Sequence, residues 1–209
     1  MPSVLPLHHA FVYLASQSPR RVQLLDQLGI AHRPLLPDKT EDVESLELVR
    51  PGDTPAAYVE RVAVLKLGAA RRRLARRGLP DAPILTADTT VALGRRILGK
   101  PADEGDARRM LEALSGRTHR VLTAVAVSAG PLHHVALSTS RVHFAPLSAH
   151  TIERYIRSGE PFGKAGAYAI QGRIAAWVER IEGSHSGIMG LPLHETVQML
   201  ARARLRMDL

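Results

Sequence analysis

Residues 11–29 read FVYLASQSPRRVQLLDQLG. Phe11 to Leu14 is a short apolar run of β-favouring residues. Val22, Leu24, Leu25 and Leu28 then recur at helical spacing until Gly29 ends the pattern. Ser18 stands at the N-cap and Pro19 at the first helical position, where its missing N–H costs nothing. A strand thus runs into a helix N-terminus and brings Ser16, Ser18, Arg20 and Arg21 to the junction. Free backbone N–H groups, the positive dipole end and two guanidinium groups together make a cradle for a phosphorylated ligand. An ordinary capped helix with solvated arginines fits the same residues, and this stretch alone leaves both open.

The remainder of the chain repeats the alternation. Thr54 and Pro55 open a second helix through Tyr58, Val59, Val62, Leu65 and Leu67 toward Arg77. Ile84 to Leu93 is apolar enough for a strand buried on both faces. Asp103 caps a helix closed by Ser115 and Gly116. Thr118–Ser128 and Val135–Phe144 are consecutive strands, and Ser148 caps a helix that Gly159 stops. Ala167–Gln171 and Ile174–Ile181 read as two short strands, followed by a Gly-rich loop from Gly183 to Gly190 and a last helix from Pro192. The pattern predicts a single α/β domain over residues 1–209 with a mixed sheet.

Composition narrows the classes. With 45% hydrophobic and 23% charged residues the chain is globular in kind. It has no cysteine, which excludes a disulfide scaffold and thiol chemistry and fits a reducing compartment. No basic leader with a long apolar run opens the chain and no stretch of about 18 apolar residues occurs, so the expectation is a cytoplasmic protein with no membrane partner. The net charge of +8 is partly local, with Arg71, Arg72, Arg73, Arg76 and Arg77 reading as the solvated end of one helix. Aromatics make up only 4%, too few for base-stacking platforms, and this argues against nucleic acid as a partner.

Asp88, in the middle of an apolar strand, is the strongest candidate for chemistry, because a carboxylate there needs a metal, a cation or a proton to handle. Lys100 and Lys164 each lie beside glycines that let an ammonium approach phosphate, and Lys66 sits in an apolar stretch of its helix. Glu41 is one of several acids in a polar loop and nothing in the pattern selects it. Residues 159–165 fall one residue short of a P-loop and lack its Ser/Thr, and Gly183, Gly187 and Gly190 do not make a dinucleotide fingerprint. The ten histidines show no zinc spacing and are predicted at the surface.

Taken in order, LASQSPRR (14–21), YVERVAVLK (58–66), ADTT (87–90), LGKP (98–101) with LSGRTH (114–119), and SGE (158–160) through KAGAY (164–168) to IQG (170–172) resemble the Maf family of nucleoside triphosphate pyrophosphatases. GLP at 190–192 closes the pattern, which runs from about residue 13 to about residue 199. The resemblance implies hydrolysis between the α and β phosphates, a divalent metal such as Mg or Mn, and an elongated α/β fold with two lobes flanking a cleft, as in the inosine triphosphate pyrophosphatases. It implies Asp88 as proton acceptor, with Asp88 and Glu41 at the metal. It implies Ser16, Arg21, Lys66, Lys100 and Lys164 around the phosphates. Arg20, Thr89 and Gln171 match the dTTP/UTP-type branch rather than the branch acting on 7-methyl-GTP. A homodimer is compatible with the resemblance.

The chain departs from the family pattern at Gly163, where an Asp is usual, and at His185 and Gly187–Met189 in the late loop. The competing readings are the 7-methyl-GTP branch and a non-enzymatic regulator of septum formation, in keeping with the family's link to nucleotide-pool cleansing and cell-division arrest. A regulator would not need Asp88, Glu41, Lys66 and Lys100 together.

Overall fold

In the computed structural model, which describes residues 8–209, the opening stretch folds as β1 (Val12–Leu14) and α1 (Pro19–Gln27). Then follow β2 (His32–Pro34), α2 (Pro55–Arg76), β3 (Ile84–Leu93), β4 (Arg96–Leu98) and α3 (Glu104–Leu114). The chain continues through β5 (Thr118–Ala129), β6 (Leu132–Phe144), α4 (Ala149–Arg157), β7 (Val178–Glu182), α5 (His185–Met189) and α6 (Leu193–Arg202). Thr54, Asp103 and Ser148 each accept a backbone N–H from the first turn of their helix, as their positions require. No helix among the described residues is long and apolar enough to cross a membrane.

The sheet is mixed, as predicted, in the order β2-β1-β3-β5-β6-β7 with β4 also on β3. β1 runs parallel to β2 and β3, and the other pairings are antiparallel. One detail of this topology creates the site. On one edge β3 pairs with β1 only at Ile84 and Leu85, and with β4 only from Val91 to Leu93. The intervening Thr86–Thr90 is paired on its β5 side alone. The sheet therefore splits along that edge, and the backbone between β1 and β4 opens into a cleft.

Strand alternation assigns the faces of β3. Leu85 and Ala87 pack with α1 and α6 side chains, whereas Ile84 and Ala92 pack with Tyr58, Val62 and Leu67 of α2. Asp88 thus shares the α2 face, and Thr89 the opposite one. A third core lies beyond the split, where α3, α4 and the chain from Ala165 to Ile174 cover Val91, Val121, Val142 and Phe144.

Three sequence expectations are corrected. Ala167–Gln171 is not a strand, and Ile174–Trp177 is the end of a 3-10 turn, with β7 starting only at Val178. Gly166 and Ala167 both have positive φ (69° and 61°), which no strand accommodates. A Cβ on Gly166 would stand 2.8 Å from Val91, so the backbone itself packs on the sheet there. The apolar run is real, but Tyr168, Ile170 and Ile174 bury one by one in the third core instead of joining a ladder. Within the Gly-rich loop, α5 forms because Ser184 caps it and Gly190, at φ 112°, ends it. The arginine cluster is not simply solvated, because Arg73 is 3% exposed. Its guanidinium donates to the Leu35 carbonyl at 2.7 Å and takes a carboxylate partner described below.

Candidate active site

The split edge of β3 opens into a cleft of about 430 Å3 lined by the β1–α1 junction, α2, β3, the turn at Gly99 and Lys100, and the chain from Gly163 to Gln171. Asp88 points into it from mid-strand and is 6% exposed. Lys66, reaching across from α2, donates to Asp88 Oδ1 at 2.7 Å and to Glu47 Oε1 at 2.7 Å. One ammonium therefore bridges two carboxylates, and their oxygens stand within two hydrogen-bond lengths of each other. Lys100 donates to the other oxygen of Glu47 at 2.6 Å. Burial pushes the Glu47 carboxyl up, but Lys66 and Lys100 outweigh it and leave it below its ordinary value.

The structure does not bring Glu41 to this centre. Arg73 donates to both of its oxygens, at 2.9, 3.2 and 2.6 Å, and Arg76 adds a further contact at 2.8 Å. Those arginine bonds hold its carboxyl down at about 2. The physical reason is Arg73, a buried cation that requires a fixed anion beside it. The second carboxylate of the cleft is Glu47, which the sequence reading missed. Its signal is faint: an acid between Leu46 and Leu48, at the end of an otherwise polar acidic run. It is held from behind, as Tyr58 donates from its hydroxyl to the Glu47 carbonyl at 2.9 Å and Arg61 to the Leu48 carbonyl at 3.0 Å.

On the other wall, Arg21 is restrained at three points. Its Nε donates to the Gly190 carbonyl (2.7 Å), one terminal nitrogen to Ser16 Oγ (2.9 Å) and the other to Thr89 Oγ1 (3.4 Å). Ser18 occupies the N-cap position but its hydroxyl makes no capping bond, and it faces the cleft. Arg20 is half-buried, and burial lowers its pKa against a small opposing effect of Tyr155. Lys164 donates to the carbonyls of Glu160 (2.5 Å) and Phe162 (3.3 Å), and burial and Arg20 lower its pKa. Gly163 at φ 71° and the exposed Gln171 also line the cleft. Arg20, Arg21, Lys66, Lys100 and Lys164 thus outnumber Asp88 and Glu47 around one space, an electrostatic environment suited to a polyanion.

Beneath this wall lies a histidine that the surface expectation overlooked. His119 is buried and its Nε2 is 2.7 Å from the hydroxyl of Tyr168, which itself lines the cleft. Burial lowers its pKa to about 4. The unfolded chain, with an ordinary value near 6.5, binds the proton more tightly. The stabilisation is complete above about pH 6.5 and is lost as pH falls toward 4, a change of up to about 3 kcal/mol. Denaturant titrations at pH 7.5 and 4.5 should therefore show a smaller acid loss of stability for H119Q than for the unaltered protein. Equal losses in both would remove His119 from this role.

A family model described as "Maf-like protein" matches residues 11–203. A protein named dTTP/UTP pyrophosphatase from Cupriavidus pinatubonensis is 64% identical over 198 residues, covering 95% of this chain and 99% of its own length. Another of the same name from Burkholderia pseudomallei is 58% identical over 207 residues, covering 98% and 99%. Among solved structures, that of the Staphylococcus aureus Ham1 protein aligns with 64% of this chain and 71% of its own, at 16% identity and a TM-score of 0.42.

Proposed function

The chain belongs to the Maf family, and on that premise we propose that it hydrolyses dTTP and UTP to the nucleoside monophosphate and pyrophosphate. The observation that carries this reading is the Lys66 ammonium bridging Asp88 and Glu47 inside a cation-lined cleft. Such a centre pairs a proton acceptor with charge stabilisation for a triphosphate. The relatives named dTTP/UTP pyrophosphatase, similar over nearly the whole chain, support the choice of nucleotide.

Asp88 acts as the base in this proposal. Lys66 occupies Oδ1, and Oδ2 has no protein hydrogen bond among the described residues, so it is available to take a proton from the attacking water. Lys66, held by both carboxylates, is fixed where negative charge builds up. Arg21, Ser16 and Ser18 bind phosphate oxygens from the α1 side, and Lys100 does so from the turn after β4. Arg20 and Gln171, without hydrogen bonds to other side chains among the described residues, read the base. Thr89 contributes through Arg21, since its hydroxyl is 3.4 Å from that guanidinium.

A divalent cation fits the donor set. Among the described residues no three histidine or carboxylate side chains cluster to hold one alone. Two carboxylates completed by substrate phosphates and water are nevertheless the usual arrangement for Mg. Asp88 and Glu47 would hold it, in place of the Asp88–Glu41 pair that the resemblance implies. When bound, it supplies charge stabilisation for the leaving pyrophosphate.

A panel of dTTP, UTP, CTP, GTP and 7-methyl-GTP tests the nucleotide choice. With Mg or Mn, kcat/KM for dTTP and UTP should exceed that for 7-methyl-GTP by about tenfold or more. A reversed order would place the chain in the other branch.

A further inference from the structure

Thr123 stands on β5 directly behind the cleft, is 1% exposed, and does not line the cleft. Its neighbours on the same face of the strand are Val121, Val125 and Val127. A hydroxyl in that row needs a purpose, because a buried polar group without partners is costly. Thr123 Oγ1 lies 2.7 Å from the Gly187 carbonyl and 2.9 Å from Thr89 Oγ1. A carbonyl only accepts, so the single Thr123 proton goes to Gly187. Thr89 must therefore donate its own proton to Thr123, which turns a Thr89 lone pair toward Arg21 at 3.4 Å. The carbonyl settles the direction of the first two bonds, and the guanidinium, which can only donate, settles the third.

We propose that Thr123 is a positioning residue that orients the Arg21 guanidinium, acting through Thr89, and so sets affinity for the triphosphate. The inference rests on the reading of Arg21 as a phosphate ligand. α5 closes the arrangement, because its residues supply the Gly187 carbonyl to Thr123 and its cap supplies the Gly190 carbonyl to Arg21. That segment is itself tied to β6, since Ser184 N donates to Ser140 Oγ at 2.9 Å and Ser140 Oγ to the Ser184 carbonyl at 3.2 Å. In T123V the shape is kept but Thr89 loses its acceptor, and its hydroxyl proton is no longer drawn away from Arg21.

The test is calorimetric binding of an α,β-methylene dTTP analogue to the full chain, with thermal midpoints measured alongside. T123V should bind about tenfold more weakly, T89V should do the same, and T123S, which keeps the hydroxyl, should bind within about twofold of the unaltered protein. R21K serves as the reference for the phosphate contact and should weaken binding by at least as much as T123V. Because Thr123 acts only through Arg21, the R21K/T123V double variant should bind no worse than R21K. Additive losses would overturn the proposal, leaving Thr123 a general prop for α5. Weakening in R21K with none in T123V or T89V would also overturn it while sparing the phosphate reading. No weakening in R21K would remove the phosphate reading of Arg21 and the proposal with it.

Discussion

Replacing Asp88 with asparagine should leave a folded protein that turns over dTTP about 100-fold or more slowly. The amide matches the carboxylate in shape, and its oxygen can still accept from Lys66, whose other bond to Glu47 at 2.7 Å is untouched. Stability should therefore change by no more than about 1 kcal/mol, readable as a nearly constant denaturation midpoint. What disappears is the proton acceptor and one of the two anionic oxygens that a cation would need. Retention of most of the turnover in folded D88N would make Asp88 a structural partner of Lys66 and nothing more.

The second large effect is a contrast between two glutamates. E47Q should lower kcat by about 10- to 100-fold and raise the Mg concentration needed for half-maximal rate, because an amide is a poor ligand for a hard cation. E41Q should keep turnover but lose stability on the order of 3 kcal/mol, since the buried Arg73 guanidinium would then lack its anion. Activity and denaturation midpoint thus move separately in the two variants. The opposite pattern, an inactive but stable E41Q beside an active E47Q, would return the metal-associated role to Glu41.

Much of this architecture is legible in the sequence. Pro19, Pro55, Asp103 and Ser148 mark helix starts because caps and N1 prolines act within a few residues, and all four helices begin there. Asp88 stood out because an acid in an apolar β run has few inexpensive explanations. Where local signals were absent, the reading failed. Glu41 and Glu47 lie in one acidic segment, and the choice between them depends on which faces Arg73 and which faces Lys66, both on a helix reached only after folding. Ala167–Gln171 has strand-like composition, yet the backbone at Gly166 must pack directly against Val91 of β3. Thr123 carries no sequence signal at all. Its partners Thr89 and Gly187 are 34 and 64 residues away in the chain.

The most direct test of the central claim is the identity of the first products from dTTP, read by anion-exchange chromatography over a single turnover with Mg present. Cleavage between the α and β phosphates at the Asp88–Glu47 centre yields dTMP and pyrophosphate in equal amounts from the earliest time point. The appearance of dTDP and orthophosphate as first products would contradict the account.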